Sequence, residues 1–252
     1  MARVAIVTGA AQGIGRAIAI RLASDGIDVA VNDINAKQKE LEQLTQEIKS
    51  LGQKSITVPC DVSKEAEVRE MVEKTVNALG SLDIMVANAG VHVDASVLDV
   101  TDEIFDRIMN INCKGVLYCY RAAAVQMIKQ GKGGRIIGAS SMWGFQGALL
   151  NVAYATSKFG VRAITQTAAL EWGKYNITVN AYAPGLIDTP MVATAGGGAS
   201  KEQMVQDVLP GACMKRMGKP EEIAAVVGFL ASEGASYVTG QTLSANGGAI
   251  MS

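Results

Sequence analysis

The chain has 252 residues, 49% hydrophobic and 19% charged, a composition that fits one globular α/β domain spanning residues 1–252. Lys and Arg total 23 against 24 Asp and Glu, a net charge of −1, so no positive excess exists to drive nucleic-acid binding. There is one histidine, His92, so a multi-His metal centre lacks ligands and any His-driven triad would rest on that residue alone.

Short β-branched runs alternate with longer amphipathic segments along the chain. Arg3–Val7 reads as a buried strand, followed by a glycine turn and a helix over Gly13–Ser24. Asp28–Asn32 reads as a second strand, Ala36–Ser50 as a helix, Ser55–Val58 as a strand, Lys64–Leu79 as a helix and Leu82–Ala87 as a fourth strand. Helical segments span Asp102–Gln130, then come the strand Arg135–Ala139, a long helix over Asn151–Tyr175 and the strand Thr178–Ala183. A helix over Pro220–Ala231 leads to a last strand near Gln241–Ser244. Apolar strands separated by helix-length segments predict a doubly wound parallel sheet with helices on both faces. The stretch 189–212 carries Gly196-Gly197-Gly198 and reads as either a substrate lid or a surface loop.

Cys60, Cys113, Cys119 and Cys213 form no CxxC pair and read as free thiols in a reducing compartment. The N-terminus lacks the apolar core of a signal peptide, and no apolar run reaches the length of about 18 residues that spans a membrane. The expectation is a cytoplasmic protein with neither membrane nor nucleic acid as partner.

Thr8-Gly9-Ala10-Ala11-Gln12-Gly13-Ile14-Gly15 lies between the first strand and the first helix. Glycines there permit a tight turn and let the backbone approach a pyrophosphate, whose charge the helix N-terminus stabilises. A glycine-rich turn can also exist for packing alone, and no P-loop pattern occurs. Asp33 ends the second strand, where a carboxylate accepts hydrogen bonds from the adenosine ribose and repels a 2′-phosphate. Gln12, Ile34 and Asn35 offer no cation for such a phosphate, which predicts NAD(H) over NADP(H).

Tyr154 and Lys158 stand at i and i+4, neighbours on one helix face. A free phenol has a pKa of about 10. A nearby cation stabilises the phenolate, so such a Tyr can exchange a proton with a carbonyl or alcohol. Helices contain many Tyr–Lys pairs by chance, but here the pair has company. The T-G-x3-G-x-G turn, Asp61-Val62, Asn88-Ala89-Gly90, Asn112, Ser141, Tyr154, Lys158 and Pro184-Gly185 follow one another as in the short-chain dehydrogenase/reductase family. The whole chain resembles that family, and Ser141, rather than Ser140, has the family spacing to Tyr154.

The resemblance implies roles. Tyr154 would be the general acid/base, with Lys158 lowering its pKa and bonding the nicotinamide ribose. Ser141 would polarise the substrate oxygen, and Asn112 would hold a water linking Lys158 to solvent. Asp61 and Val62 would contact the adenine, and Asn88–Gly90 would line the cofactor path. Pro184, Gly185, Ile187 and Thr189 would seat the carboxamide. Plainer readings exist for single residues: Asp61 as a helix-start residue, Asn112 as a polar kink. Two departures stand out, Ala87-Asn88 for the usual paired Asn and Asn246-Gly247-Gly248 for Asp-Gly-Gly.

Within the family the chain looks most like acetoin/diacetyl reductases and butanediol dehydrogenases. That implies a small hydroxyketone, diketone or vicinal diol as substrate and a homotetramer as assembly. Candidate pocket residues are His92, Val93, Met142, Trp143, Leu149, Asn151, Leu186 and Met191, a mostly apolar set without Arg or Lys, and His92 also reads as a surface or supporting histidine. A reductase of 3-oxoacyl thioesters or of sugars and polyols is the alternative on the same scaffold. A dinucleotide-binding protein without catalysis is a third.

Overall fold

A computed structural model describes residues 2–195, 200–208 and 210–251. Its strands are β1 (Val4–Val7), β2 (Asp28–Val31), β3 (Ser55–Thr57), β4 (Ile84–Ala87), β5 (Gly134–Ala139), β6 (Ile177–Pro184) and β7 (Thr242–Ala245). They make one sheet in the order β3-β2-β1-β4-β5-β6-β7, and every pairing is parallel. The runs VAIV, DVAV and IMVA of β1, β2 and β4 are buried at every position, because the sheet is covered on both faces.

The helices are α1 (Gly13–Ser24), α2 (Gln38–Ser50), α3 (Glu65–Leu79), α4 (Asp102–Met109), α5 (Gly115–Gln130), α6 (Val152–Trp172), α7 (Pro190–Ala195), α8 (Lys201–Val208) and α9 (Pro220–Ala231). Ile18 and Leu22 of α1, Leu41 and Ile48 of α2, and Val227 and Leu230 of α9 fill one core layer. Val68 and Met71 of α3, Val116 and Met127 of α5, and Val161 of α6 fill the other. Each such side chain, fully buried, stabilises the fold by about 1.5–3 kcal/mol. The doubly wound α/β architecture is therefore the one expected, and α1 and α9 have the boundaries read from the sequence.

One helical expectation gains detail and one shortens. The segment 102–130 is broken by a π turn at Asn110–Lys114 between α4 and α5. The long helix over 151–175 runs only from Val152 to Trp172, followed by a 3-10 turn at Gly173–Tyr175 and Asn176 at φ 59°. The glycine run of the expected lid, 196–198, lies outside the described residues. Among those described, no helix is long and apolar enough to cross a membrane, and no cluster of metal-ligating side chains occurs.

β1 pairs with β2 on one side and β4 on the other, so the chain winds outward in both directions from this point. In such sheets a crevice opens beyond the carboxyl ends of the strands at the switch point. That crevice holds the candidate site.

Candidate active site

Beyond the ends of β1, β2, β4, β5 and β6 lies a cleft of about 570 Å³. All the cofactor-side residues singled out from the sequence line it: Gly9, Gln12–Gly15, Asp33, Asp61, Val62, Asn88–Gly90, Tyr154, Lys158, Pro184, Gly185, Ile187 and Thr189. Ser141 and Met191 line it too.

The β1–α1 turn is tight for a physical reason. Gly9 has φ 63°, and a Cβ on it would stand 2.9 Å from Ala89 Cα. A Cβ on Gly15 would collide with the Gly9 carbonyl oxygen. Gln12, ahead of α1, makes no side-chain cap, so the N–H groups of the first turn point at the cleft without an internal partner. Such an end stabilises an anion. Asp33 is held beside it: Oδ2 accepts from Ala11 N at 3.2 Å and Oδ1 from Ile34 N at 2.9 Å. A glycine cradle, an uncapped helix end and a fixed carboxylate together fit a dinucleotide.

One expectation at this end needs amendment. Lys37, on the 3-10 turn Asn35–Lys37, lines the cleft near Asp33, so a cation does stand nearby. Its ammonium is tied to Glu40 at 2.8 Å, and that hydrogen bond raises its pKa. Asp61 Oδ1 accepts from Ser63 N at 3.0 Å and Ser63 Oγ at 2.7 Å, so it shapes the turn before α3 as well as lining the cleft.

Asn88 stitches three strands. Its Nδ2 donates to Thr8 O at 2.8 Å and Gly9 O at 3.2 Å, and its Oδ1 accepts from Tyr182 Oη at 2.7 Å. Ala87 sits in the core without a polar role. Near the other end, Asn246 accepts from Gly248 N at 3.0 Å and donates Nδ2 to Ile250 O at 2.9 Å. The second bond needs an amide; a carboxylate could not make it.

The first turns of α6 carry Tyr154 and Lys158 on the face toward the cleft. Lys158 Nζ donates to Ala139 O at 2.8 Å and stands 5.3 Å from the Tyr154 ring centroid. Burial disfavours the ammonium and lowers its pKa to about 8. Burial likewise raises the Tyr154 pKa, and the Ser141 hydroxyl works against that rise by hydrogen bonding. Desolvation thus acts on the phenol in the direction opposite to the lowering expected from Lys158.

Asn112 is fully buried in the π turn, Oδ1 accepting from Val91 N at 2.8 Å and Nδ2 donating to Val91 O at 2.9 Å. It also reaches Ser157 Oγ at 3.3 Å. Between Asn112 and Lys158 lies Gly90, whose absent Cβ would be 3.3 Å from Asn112 Oδ1 and 3.6 Å from Lys158 Nζ. The polar-kink reading and the site reading of Asn112 describe one arrangement, since π turns often sit at functional sites.

The expected substrate residues divide. Met142, Trp143 and Leu186 join an apolar cluster with Val208, Ala212, Ala249 and Ile250. Leu186 faces a smaller cleft of about 380 Å³ beside Met214 and Asn246. His92 packs edge-on against Tyr154, ring centroids 4.9 Å apart, and its Nε2 is 2.7 Å from Asn151 Oδ1. Leu149 stands apart from the cofactor cleft. It is 89% exposed and faces a separate apolar groove with Val97, Val152 and Phe159. Leu150, at a left-handed φ of 61°, and Asn151 line the same groove. Tyr182 was overlooked, although alternation along β6 puts it on the side of Pro184.

Comparison with known proteins agrees with this geometry. A family model described as enoyl-(acyl carrier protein) reductase matches residues 9–249. A short-chain dehydrogenase/reductase of Armillaria gallica is 50% identical over 250 residues, covering 98% of this chain and 96% of the relative. The 3-oxoacyl-[acyl-carrier-protein] reductase of Staphylococcus epidermidis is 40% identical over 251 residues, covering 100% of both. Among solved structures, acetoin dehydrogenase from Salmonella typhimurium superposes with a TM-score of 0.88 at 33% identity, covering 98% of this chain and 96% of that one. Levodione reductase superposes with a TM-score of 0.90 at 34% identity over the same shares.

Proposed function

The chain belongs to the short-chain dehydrogenase/reductase family and is an oxidoreductase, and from that premise we propose that it interconverts small secondary alcohols and ketones with NAD(H). Hydroxyketones, diketones and vicinal diols are the favoured substrates. The observation that carries the cofactor choice is Asp33, a carboxylate fixed at the cleft where a 2′-phosphate would have to fit. The substrate class is supported by the uncharged cluster of Met142, Trp143 and Leu186 beside the site and by the structural likeness to acetoin dehydrogenase.

When bound, the nicotinamide cofactor supplies or accepts the hydride. The Tyr154 phenol gives its proton to the ketone oxygen in reduction and takes it back in oxidation. Ser141 hydrogen-bonds the same oxygen and keeps it in line with the phenol. Lys158 stabilises the transient phenolate and is the source of the proton that restores the phenol, and Asn112 holds the Val91 wall of the cleft and a water path by which Lys158 regains that proton. Pro190, Met191 and Val192 of α7 line the cleft, and α7 is the described part of the proposed lid that contacts it. A serial comparison of kcat/KM for NADH and NADPH in wild type and Asp33→Ala tests the cofactor; a wild-type preference for NADPH overturns it.

A second reading, reduction of 3-oxoacyl thioesters, is favoured by the 40% identity to the staphylococcal reductase. Rates over acetoin, diacetyl, a polyol and a 3-oxoacyl thioester decide between the two. We further propose a homotetramer in the cytoplasm. Supporting it are the exposed apolar side chains Val125 and Ile128 of α5 and Phe159 and Leu170 of α6, with free thiols that suit a reducing compartment. A monomeric mass by light scattering at micromolar concentration would overturn the assembly.

A further inference from the structure

His92 is followed in the chain by a loop that meets the start of α6. Ala95 N donates to Leu150 O at 2.8 Å, and Ala95 and Asn151 form an isolated parallel bridge. These contacts hold Leu150 in its left-handed conformation and so fix where Asn151 points. Asn151 Nδ2 donates to Leu149 O at 2.8 Å. A carbonyl oxygen can only accept, so that bond settles the orientation of the Asn151 amide. Its Oδ1 is then the atom 2.7 Å from His92 Nε2, and it too can only accept. Asp94 Oδ1, 3.4 Å from the same nitrogen, is a second acceptor. The proton of the neutral imidazole therefore resides on Nε2, which leaves Nδ1 as a lone-pair acceptor. Among the described residues no protein group bonds Nδ1.

The ring so fixed stands edge-on against the Tyr154 ring at 4.9 Å. Met142, directly after Ser141, is buried in the apolar cluster and offers no hydrogen-bonding group. A second oxygen on the substrate needs its partner elsewhere. We propose that His92, locked by Asn151 as the Nε2–H tautomer, reads a hydroxyl on the carbon next to the reacting one by accepting its hydrogen bond at Nδ1. An acceptor of this kind favours a hydroxyketone or vicinal diol over a simple ketone, which brings no proton to that position. His92 is on this account a positioning residue, and Asn151 is the residue that sets its tautomer.

The inference rests on the substrate class proposed above, and two measurements separate its failure from that of the class. The first is the ratio of kcat/KM for acetoin to that for 2-butanone, with NADH saturating. Wild type is expected to favour acetoin, and His92→Phe, which keeps a ring against Tyr154, to lower the ratio about tenfold. His92→Gln, whose amide oxygen can accept the same hydrogen, should recover part of it. The second is a long-range 1H–15N spectrum of histidine-labelled enzyme with NAD bound, unambiguous because the chain has 1 histidine. Wild type should give the pattern of the Nε2–H tautomer, and Asn151→Ala should mix the two tautomers. A wild-type enzyme active on both ketones, with a ratio that His92→Phe leaves unchanged, overturns the inference while the class stands. An Nδ1–H pattern in wild type overturns it as well. Inactivity towards every hydroxyketone and simple ketone removes the class, and the reading by His92 with it.

Discussion

The two ends of the cleft are built differently. At the dinucleotide end, the backbone does the shaping: the Gly9–Gly15 turn, an uncapped helix end and Asn88 bonds that tie β4 to β1 and β6. Beside the proposed substrate end, side chains do it: His92 on Asn151, and Met142 and Leu186 in one apolar cluster with Ala212 and Ile250. A backbone-built site changes little when surrounding side chains change. A site built from side chains on loops can be reshaped by one substitution. The comparison therefore predicts which residues govern whether the enzyme works at all and which govern what it works on.

Tyr154→Phe is expected to have the largest effect. Loss of the proton donor should lower kcat by about 10²–10⁴-fold, while fluorescence titration finds cofactor binding intact. A turnover near wild type would remove Tyr154 from the chemistry.

Lys158 comes next, through pH. Its folded-state pKa is lowered from 10.5 to about 8 by burial. Between these values the unfolded chain binds more protons, so the cost of burying the ammonium is full below pH about 8 and fades as pH rises towards 10.5. The whole shift corresponds to about 3 kcal/mol. Denaturant titrations from pH 7 to 10 should show wild type gaining stability relative to Lys158→Met across that window; parallel curves would contradict it.

Gly15→Ala tests the backbone-built end directly. An added Cβ meets the Gly9 carbonyl oxygen, so either the turn or α1 must move. Overpacking of this sort costs about 1–3 kcal/mol, and cofactor affinity should fall with the melting temperature. Unaltered NADH affinity would show that the turn is looser than its geometry.

The smallest effect belongs to Leu149→Ala. Leu149 is 89% exposed and outside the cleft, so steady-state rates should match wild type and stability should change by less than about 0.5 kcal/mol. A changed substrate preference would return Leu149 to the pocket.

The same contrast explains what could be read from sequence. The cofactor end was legible because glycines, a strand-end Asp33 and helix-spaced Tyr154 and Lys158 encode it locally. The sheet was legible for a similar reason: VAIV and IMVA have no solvent face. The substrate end depends on contacts between distant segments. Nothing in the residues around His92 announces Asn151, and closeness to Tyr154 in sequence suggested Leu149, whose exposure in a separate groove is set by the tertiary fold. Desolvation of Tyr154 and Lys158 was illegible too, since it depends on everything packed over them. The π turn escaped because one wide turn of five residues, Asn110–Lys114, barely disturbs a helical periodicity.

That wide turn also makes the molecule intolerant of a particular kind of change. A π turn amounts to one residue inserted into a helix, and each residue of a helix turns the chain by about 100°. Removing one residue between Met109 and Gly115 would let α4 and α5 fuse into a single straight rod. The rod would then be out of phase at one end or the other, with Asn112 swung off Val91 or the buried face of α5 swung off the sheet. A substitution at exposed Lys114 can leave that phase as it is. A one-residue deletion cannot, so the length of the segment is fixed more strictly than its composition.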